Sequence, residues 1–237
     1  MKKCLGLIGG WTAQDIPTYV RLLHREVAAR RGKDAMANLF TRGLDRLNLA
    51  RFVAEGNWIE MVRRTQLAVE RLESVNVEGI ALCSSLQHAV AAQLEAGMTV
   101  PLLHMGEMVA AALRATKCRR VGLLGTRCPE EERMWAHYLA GQGILETLTP
   151  VPKDGAIIHR ILDEEAGLVN ETSCAEVAKV VGTLKRAGAK AVVLIAPELD
   201  RLLIEEHNVL PVFDAVNLHV QGLVDWMLEE EGEQKTG

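Results

Sequence analysis

The alternation of short apolar runs with longer amphipathic segments constrains the fold of this 237-residue chain more than any other feature. The run "CLGLIGG" at residues 4–10 predicts a buried strand that breaks at glycine. A helical pattern over residues 15–32 follows it, with Asp15 as the predicted cap and Pro17 in the first turn. Repeated strand–helix units of this kind predict parallel sheets with right-handed crossovers, and therefore an α/β fold.

The pattern restarts in the middle of the chain, where "RRVGLLGT" at residues 119–126 repeats the strand and glycine turn of the first segment. We therefore expect two similar open parallel-sheet domains. The first would comprise residues 1–104 and 215–237, and the second residues 105–214. Within them the sequence predicts a short strand at residues 100–105 and a single helix at residues 86–97. Ligands of such sheets bind at the carboxyl ends of the strands, so those residues are the candidates for a site.

Composition excludes several classes of function. The net charge is −4 and no basic run occurs, so nucleic acid is not an expected partner. No apolar run reaches membrane-spanning length and no export signal is evident, so we expect a cytoplasmic protein without a membrane partner. Five cysteines, without any CxxC pair, predict free thiols and no metal site. The glycine turns also lack the order of a dinucleotide-binding motif.

Cys83 lies where the strand "GIALCSS" ends, and the matching segment of the second half is "AVVLIAPEL". Two such strand ends facing each other across a cleft would suit a cofactor-independent racemase. Inversion of a carbon centre requires one group to remove a proton and another to deliver a proton to the opposite face. A thiol can serve if its pKa is brought toward the working pH.

Five segments, in order, resemble the aspartate/glutamate racemase family over nearly the whole chain: "GLIGGWT", "LCSSLQH", "VPLLHM", "VGLLGTR" and "LPVFDAVNLH". The resemblance implies two α/β domains with pseudo-twofold symmetry and a cleft between them, commonly in a homodimer. It also implies action on small acidic amino acids without pyridoxal phosphate or another cofactor.

The resemblance further implies a second cysteine, in a Cys-Thr-Glu segment of the second half, but this chain has Ala196, Pro197 and Glu198 there. Alanine cannot exchange a proton, so Ala196 marks a lost second base. Pro197 offers neither a hydroxyl nor a backbone N–H to a substrate carboxylate. Efficient racemisation of aspartate or glutamate by two bases is therefore doubtful.

The candidate site residues follow from their places at strand ends and from the resemblance. Cys83 and Glu198 are the predicted catalytic residues, Glu198 as a substitute base. The predicted substrate-binding residues are Thr12, Gln14, Arg46, Ser84, Ser85, Thr126 and His219. Each substrate-binding candidate also has a purely structural alternative. The serines could cap the following helix, and Thr12, Gln14 and Thr126 could be turn residues. Arg46 could be a surface cation, and His219 could be a buried structural histidine.

Three functions stay open at this point. The chain is predicted to be a racemase-type isomerase that uses Cys83 as its one acid/base thiol on a small carboxylic or amino acid. It could instead be a one-base enzyme on the same scaffold, such as a decarboxylase or lyase. Arylmalonate decarboxylase, a relative of this family, works with a single cysteine. That cysteine lies in the second half, at the position where this chain has lost it. The third function is a catalytically silent protein that binds a small acid.

Overall fold

The computed structural model describes residues 3–126, 128–144, 146–164, 170–196, 199, 202 and 209–229, and of Glu164 only the backbone. The chain forms two compact units, Met1–His104 with His219–Gly237, and Met105–Leu218. In the described part of the chain, no helix combines the length and the apolar character needed to cross a membrane.

The first unit contains a three-stranded parallel sheet in the order β2-β1-β3. Its strands are β1 (Leu5–Gly9), β2 (Leu39–Gly43) and β3 (Gly79–Leu82). The strands β1 and β3 are buried along their whole length, as expected for a parallel sheet covered on both faces. The helices of this unit are α1 (Asp15–Arg31), α2 (Arg46–Ala54), α3 (Trp58–Glu73) and α4 (Ala91–Glu95), with a 3₁₀ helix at Ser85–Val90.

The second unit contains a four-stranded parallel sheet in the order β5-β4-β6-β7. Its strands are β4 (Arg120–Leu124), β5 (Glu146–Leu148), β6 (Ala191–Leu194) and β7 (Val212–Asp214). The helices are α5 (Met105–Ala115), α6 (Pro129–Gly141), α7 (Pro152–Glu164) and α8 (Glu171–Arg186). A last helix, α9 (Ala215–Leu228), begins in this unit and continues into the first from His219 onward.

The two sheets share one strand order, because in each the first strand of the unit lies between the second and the third. The predicted α/β class with two similar parallel sheets is therefore confirmed. In this order the carboxyl ends of β1 and β3 are neighbours in one sheet, and those of β4 and β6 are neighbours in the other. The candidate site residues that follow these strands therefore lie side by side within each sheet.

Two elements differ from the prediction. The strand predicted at residues 100–105 is reduced to one bridge between Leu102 and Ile80, because α5 already begins at Met105. The single helix predicted at residues 86–97 is a 3₁₀ helix followed by the short α4. His88 donates from Nε2 to the carbonyl oxygen of Leu82 at 3.2 Å, which draws the start of this segment back toward the strand.

Candidate functional site

The carboxyl end of β1 turns sharply at Gly10, whose φ of +135° is a conformation that side chains disfavour. A Cβ at Gly10 would overlap the carbonyl oxygen of Leu44 and lie 2.8 Å from its nitrogen. The amide of Leu44 donates to the carbonyl oxygen of Gly9 at 2.8 Å, so the segment after β2 closes over this turn. The glycine is thus required by both its conformation and the close approach of backbone.

Asp15 organises the loop that follows the turn. Its carboxylate accepts hydrogen bonds from the amides of Gly10 (3.2 Å) and Thr12 (2.9 Å) and from the Thr12 hydroxyl (2.5 Å). The sequence predicts Asp15 as the helix cap, but the helix begins at Asp15 and Gln14 holds the cap position without a side-chain bond. The carboxylate therefore satisfies the amides of the preceding loop and brings a negative charge to the end of β1.

Cys83 follows β3 at the same edge of the sheet, and its amide donates to the carbonyl oxygen of Ile8 at 2.7 Å. Its side chain is only 5% exposed. Burial raises the pKa of the Cys83 thiol well above its ordinary value, and the charge of Asp15 raises it further. The thiol is therefore neutral at physiological pH in this structure.

Asp15 and Cys83 both border Gly9. A Cβ at Gly9 would lie 3.2 Å from Cβ of Asp15 and 3.4 Å from Cβ of Cys83. The sequence predicts Asp15 only as a helix cap and does not predict its place beside Cys83. The signal was present, because an aspartate three residues after Thr12 and five after Gly10 can fold back onto both amides.

Ser84 and Ser85 are buried beside Cys83. Ser84 precedes the 3₁₀ helix in an extended conformation, and its side chain makes no capping hydrogen bond. Ser84 therefore holds the cap position of this helix, but its side chain does not cap an amide. Both serines lie at the carboxyl edge of the sheet next to the thiol.

Three buried histidines pack together behind this strand end, and we call His88, His104 and His219 the histidine cluster. The ring centroids of His88 and His104 are 4.3 Å apart, and those of His88 and His219 are 5.7 Å apart. Burial lowers the pKa of His104 to about 3 and that of His219 to about 4, and it lowers the pKa of His88 well below its ordinary value. The cluster is therefore neutral at physiological pH.

The hydrogen bonds of His219 fix its tautomer. Nε2 lies 2.9 Å from the carbonyl oxygen of Leu103, which can only accept, so Nε2 carries the proton. Nδ1 then accepts from the hydroxyl of Tyr19 at 2.8 Å. Both ring nitrogens of this predicted substrate-binding residue are engaged by protein atoms, and the ring holds the segment that bridges to β3.

In the second unit, β4 ends at a second glycine turn. Gly125 has a φ of +97°, and a Cβ there would lie 2.8 Å from Cβ of Ala196. Ala196 is 7% exposed and belongs to an apolar cluster that includes Leu124 and Leu199. The position at which the resemblance implies a second cysteine thus presents a methyl group among hydrocarbon side chains.

Thr126 follows this turn and is buried. Its hydroxyl donates to Glu132 of α6 at 3.2 Å, and its carbonyl oxygen accepts from Nε2 of His159 at 2.9 Å. Cys128 precedes α6, where burial raises the pKa of its thiol to about 11. These contacts hold the loop between β4 and α6 in place.

The other predicted residues lie at the surface or outside the described residues. Gln14 is exposed, Thr12 is half-buried, and Arg46 is the exposed first residue of α2, after the end of β2. Glu198 lies outside the described residues. Within the described residues, no group of three or more potential ligands could hold a metal ion.

The first unit therefore brings Thr12, Cys83, Ser84 and Ser85 to one sheet edge, and the second brings Thr126 to the strand end that carries Ala196. A sequence profile of the Asp/Glu/hydantoin racemase family matches residues 17–223. The chain belongs to the Asp/Glu/hydantoin racemase family.

Solved structures of racemase-family proteins share this fold. A proposed Asp/Glu racemase from Yersinia pestis is 28% identical, with a TM-score of 0.87 over 96% of this chain and 100% of its own. An aspartate racemase homologue from Pyrococcus horikoshii is 22% identical, with a TM-score of 0.82 over 97% of this chain and all of its own. Arylmalonate decarboxylase, at 15% identity, has a TM-score of 0.52 over 96% of this chain and 93% of its own.

Proposed function

We propose that this racemase-family protein transfers a proton to a small carboxylic or amino acid from one side only, with Cys83 as its acid/base thiol. The observation that carries the proposal is the buried, neutral thiol of Cys83 at the strand end, next to the charge of Asp15. The chemistry best served by such a group is protonation of a carbanion, as in a decarboxylase or a one-base isomerase.

The proton balance of this step is simple. When a substrate loses carbon dioxide, the electron pair of the broken C–C bond remains on carbon. That pair takes the proton of the Cys83 Sγ–H bond and a new C–H bond forms. The resulting thiolate is disfavoured by burial and by Asp15, so it recovers a proton from solvent. A high thiol pKa suits this role because the protonated form is the one present before the reaction.

The second half supports one-sided rather than two-sided transfer. Racemisation needs a second group on the other face of the carbon, and the resemblance implies a cysteine where this chain has Ala196. Among the described residues of the apolar cluster that contains Ala196, the one titratable group is the buried thiol of Cys174 on α8, and the residues around Ala196 are otherwise apolar. We propose Glu198 as a weaker auxiliary base and expect racemisation of aspartate or glutamate to be slow or absent.

Substrate recognition is proposed for polar groups at the carboxyl end of the first sheet, where Ser84 and Ser85 would bind a carboxylate through their hydroxyls, assisted by Thr12. Thr126 is proposed as a polar contact at the strand end of the second unit. Arg46 would add a cationic contact from the segment that follows β2, at the edge that also carries Cys83. The geometry of His219 supports a positioning role, because both of its nitrogens are occupied by Tyr19 and Leu103.

A catalytically silent small-acid binder is the second candidate. The observation that favours it is the burial of Cys83 together with a histidine cluster that stays neutral, which leaves no ready thiolate in this unit. Such a protein would bind the acid through the same serines without proton exchange.

The test uses three sets of compounds: both enantiomers of aspartate, both enantiomers of glutamate, and phenylmalonate. Chiral chromatography follows inversion, and carbon dioxide release follows decarboxylation. We expect decarboxylation or one-sided exchange that is lost in Cys83→Ala. The matched control is Cys4→Ala, which removes another buried thiol from the same unit. Rapid inversion of both enantiomers of one amino acid would overturn the proposal, and binding without turnover would favour the silent binder.

We further propose a homodimer that covers part of the first unit. Leu47 of α2 is 80% exposed and Ile59 of α3 is 84% exposed, and burial of these apolar side chains against a second copy would favour association. Light scattering should give the mass of a dimer for the wild type and that of a monomer for a Leu47→Glu, Ile59→Glu variant. A monomeric wild type would contradict this proposal.

A further inference from the structure

The second unit carries a cavity of about 430 Å³ at the edge of its sheet opposite to the candidate site, where the strands begin. Nine described residues line it, and four of them are cationic while none is acidic: Lys117, Arg119, Arg120 and Lys190. A concentration of four cations around one cavity is notable in a chain whose net charge is −4. Pro211 and Phe213 add an apolar wall.

Arg120 contacts protein atoms beside this cavity. Its Nε lies 2.8 Å from a carboxylate oxygen of Glu146, and one of its terminal nitrogens donates to the carbonyl oxygen of Ala187 at 3.3 Å. Its guanidinium also packs on Gly188, where a Cβ would lie 2.5 Å from it. Glu146 offsets the charge of this one arginine, and no ion pair among the described residues involves Lys117, Arg119 or Lys190.

Lys117 has an unusual backbone conformation. Its φ of +57° lies in the left-handed region, where the position after a helix usually has glycine or asparagine. A lysine is less favourable than glycine in this conformation. The amide of Lys117 closes the end of α5 by donating to the carbonyl oxygen of Arg114 at 3.0 Å, a bond that glycine would make equally well. The lysine side chain is therefore not needed for the turn.

We propose that this cavity binds a small phosphate-bearing compound, with Lys117, Arg119 and Lys190 contacting the phosphate oxygens and Phe213 contacting the remainder of the ligand. Phosphate is the chemistry that a cluster of lysine and arginine side chains recognises best. The volume falls in the range of small-ligand sites. The inference does not depend on the proposed function, because the cavity lies at the opposite edge of the sheet from Thr126 and Ala196.

The simpler explanation is that these cations complement helix ends. The carboxyl ends of α5 and α8 lie at this edge, and cations stabilise such ends. The two explanations differ in what Lys117→Gly should do. If Lys117 only serves the helix end, the variant changes stability and no phosphate compound binds. If it binds a ligand, the variant relieves the backbone and weakens the binding.

The experiment measures binding of inorganic pyrophosphate and of ADP by titration calorimetry at constant ionic strength, because electrostatic contacts depend on salt. The wild type should bind at least one of them saturably. Binding of ADP alone would identify a nucleotide site. Binding of ADP and pyrophosphate with equal affinity would identify a site that recognises the phosphate groups. Lys117→Gly and Lys190→Ala should each weaken binding about tenfold, and Lys117→Gly should not lower the melting temperature.

Two controls match these variants. Asn76→Gly replaces the other described non-glycine residue with positive φ, in the first unit, and Lys179→Ala removes an exposed lysine from α8. Both should retain wild-type affinity. The proposal is overturned if neither probe binds the wild type at millimolar concentration, or if Lys117→Gly and Lys190→Ala bind as tightly as the wild type does.

Discussion

Asp15 and Cys83 flank the same glycine, since a Cβ at Gly9 would lie 3.2 Å from Cβ of Asp15 and 3.4 Å from Cβ of Cys83. The two residues come from different segments, the first residue of α1 and the residue after β3, yet the pairing of β1 with β3 brings them together. This relationship places a fixed negative charge near the thiol on which the proposed chemistry depends.

The first prediction concerns the charge of Asp15. Asp15→Asn should lower the pKa of Cys83, because it removes a charge that disfavours the thiolate, yet leave it above the ordinary value because burial is the larger cause. The pKa of Cys83 is obtained from the rate of thiol alkylation as a function of pH. The same profile is measured for Cys83→Ser and subtracted, because it contains only the reaction of the other four thiols. An unchanged profile in Asp15→Asn would mean that the carboxylate does not influence the thiol.

The second prediction concerns the glycine turn. Gly10→Ala should lower the free energy of unfolding by roughly 2–4 kcal/mol, because alanine disfavours the positive φ and its Cβ would overlap Leu44. Gly43→Ala is the matched control, since a Cβ there meets no atom within 4 Å. Urea unfolding measures both variants, and equal losses of stability would contradict the role assigned to the turn.

The third prediction is acid destabilisation through the histidine cluster. Histidines of the unfolded chain bind protons near pH 6.5, whereas those of the cluster stay neutral to much lower pH. The unfolded state therefore binds more protons as the pH falls from about 6.5 toward 4. The stability that these histidines contribute is complete above pH 6.5 and is lost through this window.

The size of that effect is testable with His104→Gln. Each buried neutral histidine lowers the free energy of unfolding by about 2 kcal/mol when the pH falls from 7 to 5. The loss of stability between these pH values should therefore be about 2 kcal/mol smaller in His104→Gln than in the wild type. His137→Gln, at an exposed position of α6, should retain the wild-type difference. Urea unfolding at both pH values decides, and identical pH dependence in His104→Gln and the wild type would refute the assignment.

The fourth prediction concerns the missing second base. Ala196→Cys should raise the rate of racemisation of a bound amino acid at least tenfold over the wild type, because it restores a thiol at the position implied by the family. Ala196→Ser adds a similar volume without an effective proton-transfer group and should not raise the rate. Chiral chromatography measures the rate, and no gain in Ala196→Cys would show that the position does not serve the reaction.

The sequence predicts the sheets because their strands are continuous apolar runs that end at glycine. The long amphipathic pattern that follows Asn57 likewise accounts for α3, which Asn57 caps in the structure. The sequence does not predict α2, because nine residues with a weak apolar periodicity form a helix only once Asp45 caps the amide of Asn48 and Leu49 and Phe52 pack inward.

The candidate site is predicted in part. Cys83 and Ser84 stand in the sequence next to a recognisable strand end. The histidine cluster could not be predicted, because His88, His104 and His219 come from segments with no regular spacing and meet only through tertiary packing. The role of Asp15 was hidden for a related reason, since its partners precede it in the loop rather than follow it in the helix.

The most direct measurement is the face on which deuterium enters the product in heavy water. A compound that the protein turns over is incubated with the wild type and with Cys83→Ala, and NMR in the presence of a chiral reagent reports the label. With Cys83 as the sole proton donor, the wild type should introduce deuterium on one face only, and Cys83→Ala should introduce none. Label on both faces, or label that persists in Cys83→Ala, would contradict this account.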